Sequence, residues 1–482
     1  MTAPDTATTS GRQPRKRLVL AICCTAVLMA NLDTTALNVA LPSIGRELHA
    51  SVSSAQWAVA AYTVVLACLL MLFGSIADRI GRRTVFQAGL VVFGTGSLLC
   101  SLAPSPGWLV AFRMVQAVGG AMLNPVAMSI IINVFPRPAE RARAVGAWSG
   151  TTGISMAAGP VIGGALVDAI GWRAIFWINV PIALCAFVLT TRFVPQSRAA
   201  VARRLDPVGQ LLVIGLLGPL VFAIIEGPHR GWGSPVTIGC LLLSLVCVVG
   251  LLSYEPRRTD PLIEVRAFAS PPFAGAVVIA ICAYIAMGGF LFLNTYFLQG
   301  VRNDRPLVAG LELLPMAAAM LVAGPLWGRS TAERGDRLTL TVGGALTTFA
   351  AVLLTFTFDG GNQVLLLFGY AVFGLGIGYL NTPITTIVTS GLPRSEAGVA
   401  ASIATTSRQI GQSLGVAIIG SILAATPGAL DSVAAFHTPA RICWSVLTGA
   451  ALTALLVARV APARSASPRT TSRRRPKTTA PQ

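Results

Sequence analysis

The chain runs to 482 residues, of which 54% are hydrophobic and only 11% charged, with a mean hydropathy of +0.72. That much apolar surface exceeds what one water-soluble core can hide, so a soluble globular domain is excluded and a polytopic membrane protein is indicated. The net charge of +18 requires no nucleic acid: its densest block, Arg473-Arg474-Arg475-Pro476-Lys477 in a Ser/Thr/Pro/Arg tail, suits a disordered inner-surface segment drawn to anionic lipid head groups.

Apolar segments recur near 18–41, 54–77, 84–103, 107–133, 143–167, 173–193, 205–225, 236–254, 273–298, 306–327, 338–357, 363–388, 396–425 and 441–459, fourteen expected spans in all. Arg12, Arg15, Lys16 and Arg17 precede the first, as in a secretory signal, but the segment is long and no small-residue cleavage pattern follows, so it reads as an uncleaved span. It holds one acid, Asp33, in Leu32-Asp33-Thr34-Thr35-Ala36-Leu37-Asn38-Val39-Ala40-Leu41-Pro42. A carboxylate near the middle of a bilayer costs at least ~2.5 kcal/mol, so such a residue faces protein, takes a partner, and either titrates or pins helices together.

The second and third spans are joined by Gly74-Ser75-Ile76-Ala77-Asp78-Arg79-Ile80-Gly81-Arg82-Arg83. Its glycines permit a tight turn, Asp78 accepts from a cation or a helix N-terminus, and Arg79, Arg82 and Arg83 are placed to pair with acids across a moving seam. The fourth span carries Arg113 in Arg113-Met114-Val115-Gln116-Ala117-Val118-Gly119-Gly120-Ala121. A guanidinium cannot discharge itself by losing a proton, so it needs an anion or a ring of acceptors. Asp33 is its expected partner, directly or through Gln116 and water. In the fifth span, Gly159-Pro160-Val161-Ile162-Gly163-Gly164 combines a helix bend with room for a close neighbour.

Further along, Glu226 and Glu312 sit near the outer ends of their spans, where snorkelling to water is cheap; Glu312 is also a candidate second proton or cation site. Asn38, Gln116, Asn124, Asn294, Asn381 and Arg408 are candidates for lining a substrate cavity, or for bonding between helices. Met287, Phe290, Phe292, Tyr296 and Phe297 would suit an adaptable apolar wall. Eight cysteines fall in apolar runs and Cys443 opens another, without metal or disulfide spacing; the scattered histidines make no metal site. No phosphate-cradling loop argues for ATP, and no nucleophile or metal cluster for an enzyme.

Charge orients the chain. With both ends inside, the inner loops take most of the loop arginines, among them Arg79 to Arg83, Arg137 to Arg143, Arg192 to Arg204, Arg257 to Arg266, Arg329 to Arg337 and Arg394, while the outer loops keep few. This is the bias that cytoplasmic loops show, and one missed span would invert it.

The 74–83 loop resembles the G-x-x-x-D-R-x-G-R-R signature of the major facilitator superfamily, and Arg113 to Ala121 resembles its R-x-x-Q-G-x-G-A stretch, with Ala117 in place of a glycine. Gly159 to Gly164 resembles the G-P-x-x-G-G signature of its antiporters, with Ser155 where that motif begins with Gly. Leu32 to Pro42, Ala309 to Pro315, Ile225 to Pro228 and the Ser407-Arg408-Gln409-Ile410-Gly411 helix look like the fourteen-span drug:proton antiporters, in the branch of actinobacterial antibiotic-resistance exporters.

The resemblance implies an all-α fold: a cytoplasmic basic tail at 1–17, a six-helix bundle at 18–193, an inserted helix pair at 205–254, a second six-helix bundle at 273–459 and a disordered basic tail at 460–482. It makes Asp33 and Arg113 the proton-coupling pair, and Gly74, Asp78, Arg79, Gly81, Arg82 and Arg83 the cytoplasmic gate. The expected activity is proton-driven efflux of a hydrophobic or cationic drug by a monomer in the plasma membrane. No cofactor beyond the proton gradient is implied. The rival expectation is a proton-coupled metabolite importer, since rocking bundles and a buried acid serve either direction.

Overall fold

Helices start where the sequence supplies a cap. Proline opens those at Pro106, Pro138, Pro207, Pro235, Pro271 and Pro306, where its missing N–H removes no intrahelical bond. Ser51, Asp206, Ser234 and Asn362 accept the backbone N–H groups of Ser54, Gly209, Thr237 and Leu365 at four helix starts, two of which proline also opens. The computed structural model describes residues 12–198, 205–258, 261–262, 264–323, 336–357, 362–391, 397–426 and 428–460. Arg329 and Arg334 of the expected inner loop, Arg394 and most of both basic tails lie outside the described residues.

Fourteen long helices result, with no strand among the described residues. They are α1 (Arg12–Glu47), α2 (Val52–Ile80), α3 (Arg82–Ser101), α4 (Pro106–Val134), α5 (Pro138–Ala169), α6 (Ala174–Phe193), α7 (Pro207–Arg230) and α8 (Pro235–Tyr254). Then follow α9 (Pro271–Val301, its last turn a π-helix), α10 (Pro306–Ala323), α11 (Asp336–Thr355), α12 (Gln363–Ser390), α13 (Ala397–Ala424) and α14 (Val433–Val460).

Of these, 13 are long and apolar enough to cross a membrane. The remaining one, α13, occupies the expected 396–425 span but carries a polar middle. Its Thr406, Ser407, Gln412 and Ser413 are buried, because α13 is wedged between α2 and α9 and turns those residues to protein. Close approach makes the wedge possible: a Cβ on Gly415 would lie 2.8 Å from the Gly289 nitrogen. Water drives little association between helices in lipid, so such packing and interhelical hydrogen bonds do most of the holding.

End-to-end contacts define two faces. Lys16 pairs with Glu140 at the start of α5, and Arg337 at the start of α11 donates to the Arg459 carbonyl at the end of α14. The face holding these groups is called the terminal face. On the opposite, far face, Glu47 at the end of α1 accepts from Trp172 and Arg173 just before α6.

By contact, α1–α6 form one group and α9–α14 another, meeting along two seams: α2 on α13, and α5 on α10. The pair α7–α8 lies over the first seam. Trp57 Nε1 donates to Glu226 Oε1 at 3.0 Å, Ser421 Oγ to the Ile224 carbonyl at 2.6 Å and Gln210 Nε2 to the Cys68 carbonyl at 2.9 Å, so α7 is fastened to both groups. Glu226, expected to snorkel, is thus an anchor, held also by Arg230 at 3.3 Å. Leu242, Leu245, Val246 and Val249 of α8 turn outward and are exposed. Cys185 is exposed, while Cys23, Cys68, Cys100, Cys247 and Cys443 are buried.

Interhelical hydrogen bonds of this kind average ~0.6 kcal/mol, because the separated helices also find partners. Trp57→Phe is therefore expected to keep activity and to lower the melting midpoint in detergent only slightly, as scanning fluorimetry would read; loss of folded protein would show that the anchor carries far more.

Candidate functional site

Asp33 lies on α1 and Arg113 on α4, each with 0% exposure, and Arg113 Nη1 donates to Asp33 Oδ2 at 2.5 Å. The same nitrogen donates to Gln116 Oε1 at 2.6 Å, and Arg113 Nε to the Ala58 carbonyl of α2 at 3.2 Å. The guanidinium carbon stands 4.1 Å from the centre of the Tyr62 ring, so π-electron density meets the side of the cation that the carboxylate does not. Asp33 Oδ1 in turn accepts from Gln116 Nε2 at 2.9 Å and Asn179 Nδ2 at 2.7 Å. Both of those nitrogens also donate to Ser97 Oγ of α3, at 2.6 and 3.1 Å. Helices α1, α2, α3, α4 and α6 therefore converge on one ion pair. Removing one partner of a buried pair costs ~3–5 kcal/mol, whereas an intact pair adds little, so the arrangement is a poor choice for stability and suits a charge that must change.

At the terminal face, Gly81 ends α2 with φ at +119°, a conformation that a side chain resists, and its N–H bonds the Ala77 carbonyl. Gly74 lies beside Pro125 of α4. Arg82 pairs with Asp78 at 2.9 Å and reaches the Ser129 carbonyl at 3.5 Å. Arg83 donates to the Thr191 carbonyl at 2.5 Å and receives Gln196 Oε1 on its backbone N–H at 3.1 Å; Arg79 is exposed at the end of α2. The sequence led us to expect arginine-to-acid pairs across the seam. Instead Asp78, Arg82 and Arg83 bond within α1–α6, because the α2–α3 turn folds back on the ends of α4 and α6.

At the far face the groups are in contact. A Cβ on Gly163 would lie 2.8 Å from the Ala36 Cα, and one on Gly164 would lie 2.8 Å from the Leu307 Cα. A Cβ on Gly159 would lie 2.7 Å from the Thr35 Cβ, and Gly310 leaves equally little room against the Pro160 carbonyl carbon, at 2.8 Å. The α5 motif thus seats α1 on one side and α10 on the other. Asp168 Oδ2 accepts the Leu307 N–H at 3.3 Å and faces Arg305 at 3.6 Å; Gln299 Nε2 donates to the Val39 carbonyl at 2.8 Å. Nearer the terminal face, a Cβ on Gly146 or Gly150 would meet nothing within 4 Å. The α5–α10 seam is tightest towards the far face; further along, a Cβ on Gly153 would lie 3.1 Å from Leu321 Cδ1.

The family sequence profile described as Major Facilitator Superfamily matches residues 23–416. The chain belongs to the Major Facilitator Superfamily. Among relatives, the multidrug resistance protein Stp of Mycobacterium tuberculosis is 36% identical over 399 residues, covering 83% of this chain and 74% of Stp. The tetracenomycin C resistance and export protein of Streptomyces glaucescens is 35% identical over 422 residues, covering 87% of this chain and 78% of that one. The fold matches a bacterial homolog of the human lysosomal transporter Spinster, solved inward-facing and unoccupied, with a TM-score of 0.66 at 19% identity, over 93% of this chain and 98% of that one. This facilitator is a multi-pass membrane transporter and not an enzyme.

The other candidate residues of the facilitator scatter. Asn294 is fully buried: its Nδ2 donates to the Phe290 carbonyl at 2.8 Å and its Oδ1 accepts from Tyr370, so it serves α9–α12 packing and not a cavity. Phe290, Phe292 and Phe297 are core as well, Phe290 stacking on Phe373 at 4.4 Å. Glu312 does not snorkel. With 6% exposure, it takes Arg302 Nη1 and Nη2 at 3.2 and 3.0 Å and Gln363 Nε2 at 2.9 Å, because the 297–305 turn folds over it. Asp304 faces the same guanidinium at 3.1 Å; burial pushes its carboxyl up from the ordinary value against the pull of Arg302. Asn38 donates to the Thr34 carbonyl at 3.0 Å and keeps a buried Oδ1 without a partner; Asn124 is half-buried on α4. Asn179, Ser97 and Tyr62, which complete the Asp33 cluster, escaped the sequence reading, since a neutral polar residue in a span carries no signal that a charge would.

Proposed function

We propose that the protein exports a hydrophobic small molecule of the antibiotic or drug class in exchange for protons, by alternating access between α1–α6 and α9–α14. The reading rests on the Asp33–Arg113 pair, shut off from solvent on the α1 helix that the α5 glycines hold against the far seam. Relatives named for multidrug resistance and for resistance and export support the direction.

With the far side closed, a drug enters from the terminal side, taken as the cytoplasm, with the protein a monomer in the plasma membrane and both ends inside. Opening the far side lets a proton from the more acidic exterior reach Asp33. Protonation removes the charge that holds Arg113, the bundles rock back, and the proton leaves inside. A ligand shifts two states only through unequal affinity for them, so drug and proton must antagonise each other. One charge crossing 100 mV is worth ~2.3 kcal/mol, enough for a gradient of roughly fiftyfold.

Everted vesicles supply the test. An acid interior is expected to drive drug accumulation that a protonophore abolishes; accumulation that ignores the gradient, or a gradient that empties the vesicles of drug, overturns proton-driven export and in the second case favours an importer.

A further inference from the structure

Arg408 lies midway along α13, and its surroundings are unlike those of Arg113. Its Nη2 donates to two neutral oxygens of α12, the Asn381 carbonyl at 3.2 Å and Thr385 Oγ1. Its Nε is buried with no hydrogen-bond partner, and its carbon lies 5.8 Å from the centre of the Tyr284 ring on α9. None of α9, α12 and α13 contains an acidic residue, and the only acid on α2 is Asp78, near its terminal end. The charge of Arg113 is cancelled by Asp33; that of Arg408 is not cancelled by any described residue. Arg408 is also only part-buried, where α9, α12 and α13 meet.

We infer that Arg408 is a specificity-determining contact for the substrate, selecting hydrophobic molecules that carry an anionic oxygen, a carboxylate or an acidic phenol or enol, over cations. The inference rests on the export reading above and narrows it. A guanidinium that keeps its charge and lacks an anion attracts one, and its unused N–H offers a second, charge-assisted hydrogen bond to a planar oxyanion. Tyr284 supplies an aromatic face beside that bond. A cation approaching the guanidinium meets repulsion with no carboxylate to offset it, and Asp33 is already committed to Arg113, Gln116 and Asn179. The alternative is that Arg408 merely ties α13 to α12; it would then be indifferent to ligand charge.

Fluorescein and rhodamine 123 share a xanthene ring but differ in charge, anionic against cationic at neutral pH. Their binding to full-length protein in lipid nanodiscs is read by fluorescence anisotropy, with no gradient. Wild type is expected to bind fluorescein at least about tenfold more tightly than rhodamine 123, the worth of one charge-assisted hydrogen bond, with Arg408→Gln erasing that ratio and Arg408→Lys keeping part of it. Preference for rhodamine 123, binding of neither dye, or an equal loss of both in Arg408→Gln overturns the assignment. Should Arg408→Gln fail to fold, the wild-type ratio decides alone. Because binding needs no gradient, anion preference without pH-driven transport would sink the export reading and leave this one standing.

Discussion

Replacing Asp33 with asparagine is expected to abolish uphill drug export, by at least about a hundredfold, while leaving drug binding within about tenfold of wild type. The amide has nearly the shape of the carboxylate but cannot titrate, so the step that ties proton to conformation is lost while the residues away from Asp33 are unchanged. Folding is at risk, because Arg113 is left as a buried charge without an anion, a defect worth ~3–5 kcal/mol. Two features soften it: the Tyr62 ring still faces the guanidinium, and the partnerless Asn179 Oδ1 can turn to accept from the new amide. Size-exclusion profiles in detergent would separate misfolding from uncoupling. Wild-type accumulation by a well-folded Asp33→Asn protein in the everted-vesicle assay would end the coupling scheme.

Gly164→Val should trap the transporter with its far side open. A Cβ there lies 2.8 Å from the Leu307 Cα, which is backbone and cannot swing aside, and valine adds two methyls. Overpacking of this sort costs ~1–3 kcal/mol, which as a bias between sealed and open states is roughly 5- to 150-fold. The penalty falls only on the sealed state, since the open one parts α5 from α10. Turnover should drop accordingly, and a cysteine placed at Val39, buried behind the Gln299 contact, should become reactive to an impermeant thiol reagent from the far side. A Gly164→Val protein that transports normally with that cysteine still protected would show that the α5–α10 seam does not need to close tightly.

Charge made the centre of the site legible: Asp33 and Arg113 stand out because an ion in hydrocarbon is expensive, and their pairing follows from the shortage of other partners. The α5 stretch was legible for a second reason, since proline and clustered glycines restrict what a helix can do. What sequence could not supply was direction. Arg82 and Asp78 are four residues apart on either side of the Gly81 turn, so they satisfy each other locally instead of reaching over the seam. Glu312 was placed near water by its position along α10, yet the turn after α9 folds Arg302 over it. Asn179 and Ser97 hide in apolar runs because amides and hydroxyls cost little there, and only the folded arrangement aims them at Asp33.

The polar middle of α13 bears on how the chain is made. A segment that holds an arginine and several amides and hydroxyls partitions poorly from the translocon into lipid by itself, the guanidinium alone opposing entry by ~2.5–3.5 kcal/mol. Its burial partners, α2 and α9, are synthesised earlier and are in place when it emerges. Membrane integration of α13 should thus be a late, assisted event, and a chain from which α9 is deleted should leave α13 stranded in the aqueous phase.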